Sequence, residues 1–179
     1  MHKISIFFIL ISFFGYSQRS SYSPYSYFGV GETNFSATVE NQMMGGNTAY
    51  YDSVHQNMNN AASMSKLKFV NYSIGVDLKS TSYLSESNNE KSTAAAINYL
   101  SVAIPTNILS FSFGIKPKTS VGYLLENDDQ TLTPSELNRF TGSGGISNAF
   151  VSIGFELFKN WGIGLSLIHI SEPTRQSPI

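Results

Sequence analysis

The sequence predicts an all-β protein, a transmembrane antiparallel β-barrel of which the chain carries about the first four to five strands, preceded by a long aperiodic segment. Three observations predict it. Apolar and polar residues alternate strictly and repeatedly after Lys66. Charged residues make up only 13% of the chain, against about 25% in ordinary soluble domains. The connections between alternating runs are short and long by turns, as in barrels that put tight turns on the periplasmic side and long loops outside.

The elements follow in order. Lys3, the run "ISIFFILISFF" and the small residues Gly15 and Ser17 form a three-part export signal, with cleavage expected after Ser17. Its apolar core is shorter than the roughly 20 residues that span a bilayer as a helix. From Gln18 to Lys66 the chain is rich in Ser, Asn, Tyr and Gly and keeps no period of 2 or 3.6. A structureless stretch of that length is either disordered or held inside something, and its aromatic content favours being held.

The first strand, about Phe69 to Ser80, sets Val70, Tyr72, Ile74, Val76 and Leu78 against Asn71, Ser73, Gly75 and Asp77. A second, about Ile97 to Ile104, puts Leu100, Val102 and Ile104 on one face and Tyr99, Ser101 and Ala103 on the other. The third, about Ile108 to Lys116, alternates Leu109, Phe111, Phe113 and Ile115 with Ser110, Ser112 and Gly114. The fourth, about Asn148 to Phe158, opposes Ala149, Val151, Ile153, Phe155 and Leu157 to Ser152, Gly154 and Glu156. A fifth opens with Trp161 and Ile163 against Gly162 and Gly164. Short turns are expected at 105–107 and 159–160, and long loops at 85–93 and 126–145. Within the second long loop, Thr133, Pro134 and Glu136 form a capping box that predicts a short helix to about Phe140.

From Leu165 the string "LSLIHISEPTR" reads codon by codon as the translation of a transposase-type sequencing adapter, so 165–179 is expected to be non-native and the strand pattern to end near Gly164. Closing a barrel takes at least about eight strands, so the chain reads as a fragment with unpaired edges.

Chemistry is sparse. There is no cysteine, and the three histidines, His2, His55 and His169, are too scattered to build a triad or a metal centre. Asp128 and Asp129 read as a solvated loop tip, and Gly142 to Gly145 as turn material, lacking the strand and helix of a phosphate loop. With 11 Lys and Arg and a net charge of -1, nothing recommends nucleic acid as a partner. No enzyme activity, cofactor or metal is expected. Glu156 is the one charge in the fourth strand, on its polar face, and with Tyr99 it is expected to line the barrel lumen.

Taken together, "SPYSYFGVGE", "MMGGNTAYYDS", "NMNNAASMSKL", "INYLSVAIP", "FGIKPKTSVGY" and "GSGGISNAFVSIGFELFKNWGIG" resemble, in order and spacing, the start of the long-chain fatty acid transporter (FadL-like) outer-membrane proteins of Bacteroidetes-type bacteria. The resemblance implies that 18–66 is a plug, or hatch, inside the barrel whose first strands occupy 67–164. It places the family's Asn-Pro-Ala plug motif on Asn60, Ala61 and Ala62, with alanine where the family has proline, and turns within the plug at Gly45 and Gly46. The implied function is passive uptake of hydrophobic small molecules such as long-chain fatty acids, with a hydrophobic ligand and outer-membrane lipid as partners and the outer membrane as location. Two rivals are a barrel assisting protein secretion, with a secretion partner, and a secreted soluble β-sandwich adhesin.

Overall fold

The computed structural model describes residues 23–84, 89–129 and 136–172. The expected signal peptide, 1–17, lies outside them. The described chain is all-β in its regular structure and forms two antiparallel sheets, neither closed into a barrel. The larger has the order β2-β3-β4-β7-β8, with β2 Asn71–Leu84, β3 Asn89–Pro105, β4 Leu109–Pro117, β7 Ser147–Phe158 and β8 Trp161–Ser171. The smaller is β1-β5-β6, with β1 Glu32–Thr33, β5 Thr119–Asp129 and β6 Glu136–Gly144.

One long hairpin, bent in the middle, runs through both sheets: β4 with β7 in the larger and β5 with β6 in the smaller. β4 and β5 are separated by Lys118 alone, and β6 and β7 by Gly145 and Ile146. At the bend the Lys118 and Thr119 amides both donate to the Ile146 carbonyl, at 2.7 and 3.2 Å. Two residues facing one is the signature of a β-bulge, which kinks a strand and increases its twist. Residues 109–129 and 136–158 thus run as two continuous, kinked strands, and the wall consists of five long strands in chain order.

Alternation decides the faces. Tyr72, Ile74, Leu100, Phe113, Ile115 and Val151 are all exposed on one face, Tyr72 to 78%. Ser101, Ala103, Ser110, Ser112 and Ser152 are buried on the other. A bulge in β3 opposite Gly75/Val76 switches the phase, so Asn98 and Tyr99 are adjacent in sequence yet both buried. What covers the inner face is residues 23–68 of the same chain. They carry two 3-10 helices, Pro24–Tyr27 and Ala61–Lys66, and a short helix α1, Val39–Met43. The apolar core between segment and wall is small, with Met58, Tyr99 and Phe150 clustered at its centre.

Four expectations require correction. The helix ending near Phe140 is β6 from Glu136 onward, with Thr133 and Pro134 outside the described residues. A four-residue capping signal is weaker than ladder pairing, here reinforced by the Glu126–Arg139 ion pair at 2.7 Å and by Leu125 opposite Phe140. Second, the long loops at 85–93 and 126–145 are mostly strand: β3 begins at Asn89, β5 contains Asp128 and Asp129, and β6 contains Gly142 to Gly144, so the short-long rhythm disappears. Gly142 is tolerated in β6 because the Tyr123 ring lies over it, in the space a side chain would fill. Third, the described strands number eight rather than five, since β5, β6 and the two-residue β1 carry too few apolar residues to show a period. Fourth, the pattern does not end at Gly164. β8 runs to Ser171, and Leu165 and Leu167 continue the apolar phase of Trp161 and Ile163. A ladder of backbone bonds forms regardless of the origin of the side chains it carries.

Candidate functional site

The inner face and the segment seated on it form the most constructed part of the molecule. Without a ladder of its own, the segment has to satisfy its backbone by other means. Asparagine supplies them. Asn57 Nδ2 donates to the Thr48 and Tyr50 carbonyls at 3.0 and 3.2 Å, and Asn57 Oδ1 accepts from the Asn59 amide at 3.0 Å. Asn59 Nδ2 donates to the Ser36 carbonyl at 2.9 Å, and Ser36 Oγ to the Pro117 carbonyl at 3.0 Å. Short polar side chains that bond backbone locally favour such non-ladder chain.

Asn60, Ala61 and Ala62 start the second 3-10 helix. Asn60 is its N-cap: Oδ1 accepts from the Ala62 amide at 3.1 Å, and Nδ2 donates to the Thr48 carbonyl at 2.9 Å. Ala61 holds the first helical position and packs its backbone directly on the wall. The atoms nearest to a side chain built on Gly154 or Gly164 would be backbone atoms of Ala61 and Ala62. Two residues before Gly164 on β8, Gly162 lies under the Ala62 carbonyl and Ser65 Oγ. These three wall glycines leave a track in which the helix backbone comes closer than any side chain would allow.

Gly45 and Gly46 end α1. The Gly45 amide donates to the Gln42 carbonyl at 3.0 Å and the Gly46 amide to the Asn41 carbonyl at 2.7 Å, with Gly45 at φ 70°. That pair of bonds is a Schellman stop, which needs a left-handed residue after the helix. Gly46 is held under the Phe35 ring, 2.7 Å from where a Cβ would stand.

Tyr99 and Glu156 both face the segment, which buries Tyr99 and leaves the Glu156 side chain 35% exposed. Tyr99 is 4% exposed; its ring fills the space above Gly75, and its hydroxyl accepts from the Val39 amide at 3.1 Å, fixing the start of α1. Glu156 pairs with Lys66 at the end of the second 3-10 helix and accepts the Asn160 amide at 2.9 Å, which holds the β7–β8 turn.

Sequence reasoning did not single out several further residues here. Lys116 is 7% exposed; its Nζ donates to Asn59 Oδ1 at 2.5 Å and stands 5.7 Å from the centre of the Phe150 ring. Gln56 Nε2 donates to Ser101 Oγ, Lys79 pairs with Glu32 at 2.7 Å, and Asn71 Nδ2 donates to the Val54 carbonyl at 2.8 Å. The signal for Lys116 was its phase: in the third strand it continues the polar series Ser110, Ser112, Gly114. Near the segment's exposed edge, His55 Nδ1 bonds Asp52 Oδ2 at 2.6 Å, and that bond holds the Asp52 carboxyl below its ordinary value. Among the described residues no group of His, Asp and Glu is arranged to hold a metal ion. Nor is any helix long and apolar enough to cross a membrane, which says nothing of strands.

A protein-family model described as BamG matches residues 1–170. The family is associated with the Bam complex and with the outer membrane or its periplasmic face. No curated protein and no solved structure matches the chain. The BamG match overturns the FadL-like resemblance and, with it, the fatty-acid channel, the secretion alternative, and the hydrophobic ligand, lipid and secretion partners. The reason lies in the blocks that carried the resemblance. "MMGGN" is a helix stop, "NNAAS" a capped helix on a glycine track, and "NAFVSIGFELF" a two-faced strand. These are requirements of seating a segment on a wall, and they carry no information about cargo. The missing proline at Ala61, a departure from the Asn-Pro-Ala motif, is unremarkable in a chain of another family.

Proposed function

The chain belongs to the BamG family, and from that premise we propose that it takes part in outer-membrane protein assembly in association with the Bam complex, at the outer membrane. Its contribution is structural and involves no enzyme chemistry. The five-strand wall is the beginning of a transmembrane barrel, and the segment seated on its inner face is the plug it holds. In this reading Asn60, Ala61 and Ala62 seat the plug, Gly45 and Gly46 shape it, and Tyr99 and Glu156 anchor it to the inner wall.

One observation supports the reading most: the outward face of the larger sheet is apolar and exposed, while the inward face, apart from Tyr99 and Phe150, is mostly polar or small and is covered by the chain itself. A soluble sheet needs the reverse, an apolar face inside and a polar face in water. A wall with its apolar side toward membrane hydrocarbon needs what is found.

The test uses the full-length protein, affinity-tagged at its natural level and extracted from outer membranes in mild detergent. Stoichiometric co-purification of the Bam complex, with reduced levels of other outer-membrane proteins on depletion, is the expected result. Recovery free of the Bam complex, with outer-membrane protein levels unchanged on depletion, overturns the proposal.

A further inference from the structure

Three stretches of chain cross one level of the molecule, and hydrogen bonds tie them together there. They are Lys118 with Thr119 at the start of β5, Gly145 with Ile146 between β6 and β7, and Asn34 to Ser36 in the seated segment. The Asn34 amide donates to the Lys118 carbonyl at 2.9 Å, Ser36 Oγ to the Pro117 carbonyl at 3.0 Å, and the Ile146 amide to Thr119 Oγ1 at 3.0 Å. Gly145 has a φ of 148°, which side chains rarely permit, and the Thr119 carbonyl occupies the place its Cβ would take.

On either side of this level the bonds divide into two sets. Residues 23–34 go with the β5–β6 hairpin. Glu32 and Thr33 pair with Ser120 and Thr119, the Ser23 amide donates to the Gly122 carbonyl at 2.9 Å, and the Gly122 amide donates to Ser26 Oγ at 3.1 Å. Tyr27 meets Tyr123 edge to face, with ring centres 5.2 Å apart. Residues 36–68 go with the wall instead, through Val39 on Tyr99, Gln56 on Ser101, Asn59 on Lys116 and Lys66 on Glu156. β5 itself pairs with β1 and β6 and, among the described residues, with no strand of the larger sheet. The hairpin with its share of the segment meets the wall at β2, where Glu32 pairs with Lys79 at 2.7 Å and the Tyr25 ring lies 6.3 Å from that of Tyr83.

From this division we infer that the β5–β6 hairpin and residues 23–34 form one hinged flap, which turns at Lys118, Gly145 and Asn34 and is latched to β2 by the Glu32–Lys79 pair. Hinges are a few element-terminal residues that absorb a backbone change while the parts on either side keep their own bonds. All three crossing points lie at or between the ends of elements, so turning there leaves intact the β5–β6 ladder, the β1–β5 pairing and the seat of residues 36–68. The latch opens readily, because Lys79 is 63% exposed and ion pairs in water hold weakly. Beneath it runs a narrow crevice with Ser23 and Glu32 on the flap and Thr81 and Ala94 on the wall, and there Ala94 is buried to 9% exposure. Opening uncovers this part of the inner wall without unseating the rest of the segment.

The chain has no cysteine, so single introduced thiols report which places open. The full-length protein in outer-membrane preparations is treated with a maleimide, and the rate of labelling is followed at one position at a time. Ala94→Cys is expected to react several-fold faster when Lys79→Met is added, a change that keeps the long stem and removes the charge. Thr81→Cys should respond alike and covers the case in which Ala94→Cys does not fold. Ser112→Cys, beneath the seated segment, and Ser26→Cys, inside the flap, should stay protected with or without Lys79→Met. Labelling at positions 81 and 94 that ignores Lys79→Met overturns the inference. So does acceleration at position 112, which would mean that the whole segment leaves together, or at position 26, which would mean that 23–34 peels away from β5. The readout does not involve the Bam complex, so a protein recovered free of that complex yet showing this pattern loses the assembly reading and keeps the flap.

Discussion

Lys66 and Glu156 are 90 residues apart in the chain and form an ion pair that ties the end of the seated segment to β7. Both are partly open to solvent, so the pair acts mainly as a positional tie, since exposed ion pairs contribute little net stability. Glu156→Lys and Lys66→Glu should each increase amide hydrogen exchange over 62–67, and the double swap should restore protection. Exchange that is equal in all four proteins would show that the pair holds nothing in place.

The glycine track predicts a steeper effect. A side chain at Gly154 meets the backbone of Ala61, which has no rotamer to give way. Gly154→Val should therefore destabilise by about 1–3 kcal/mol, the usual cost of overpacking. Protection should be lost first over Ala61–Lys66, read by hydrogen exchange alongside urea unfolding in detergent. Gly45→Ala is the contrast: nothing stands within 4 Å of the added methyl, but φ is 70°. Its cost, about 1–2 kcal/mol, comes from the left-handed backbone and should loosen α1 while leaving the 61–66 helix protected.

Lys116 is a buried cation whose neutral partner is Asn59. Asn59→Leu removes that acceptor and should lower stability by about 2 kcal/mol, the cost of an unsatisfied buried polar group. Replacing the cation as well, in Asn59→Leu/Lys116→Met, should recover the part of the loss due to the unpaired charge, leaving the part due to the lost bond from Asn59 to the Ser36 carbonyl. A double variant as unstable as the sum of the singles would show that Lys116 contributes through its packing on Phe150 alone.

The outward face predicts sensitivity of a different kind. Phe113→Lys puts a charge where the barrel reading places hydrocarbon, and near mid-wall such a change costs about 2–4 kcal/mol. The fraction of protein showing heat-modifiable migration in outer-membrane preparations should fall. Thr93→Lys, outward but near the end of β3, should have a much smaller effect. Equal behaviour of the two variants would remove the barrel wall from the proposal.

Much of this architecture was legible before any coordinates. Leu109 to Ile115 and Ala149 to Phe155 show which side chains share a face, because alternation is a property of each strand's own backbone. The inward phase of Tyr99 and Glu156 followed from the same rule. β5 and β6 were hidden, since Gly, Ser and acidic residues carry no period, and only cross-strand pairs such as Glu126 with Arg139 reveal them.

The sequence by itself determined the two faces of the wall. Tertiary structure alone decided that the hairpin bends at Lys118, that Lys66 meets Glu156, and that Ala61 lies on Gly154. The physical reason is one of range. Side-chain alternation is written residue by residue along a strand, whereas bulges, backbone contacts and ion pairs exist only once a distant stretch of chain has arrived to complete them.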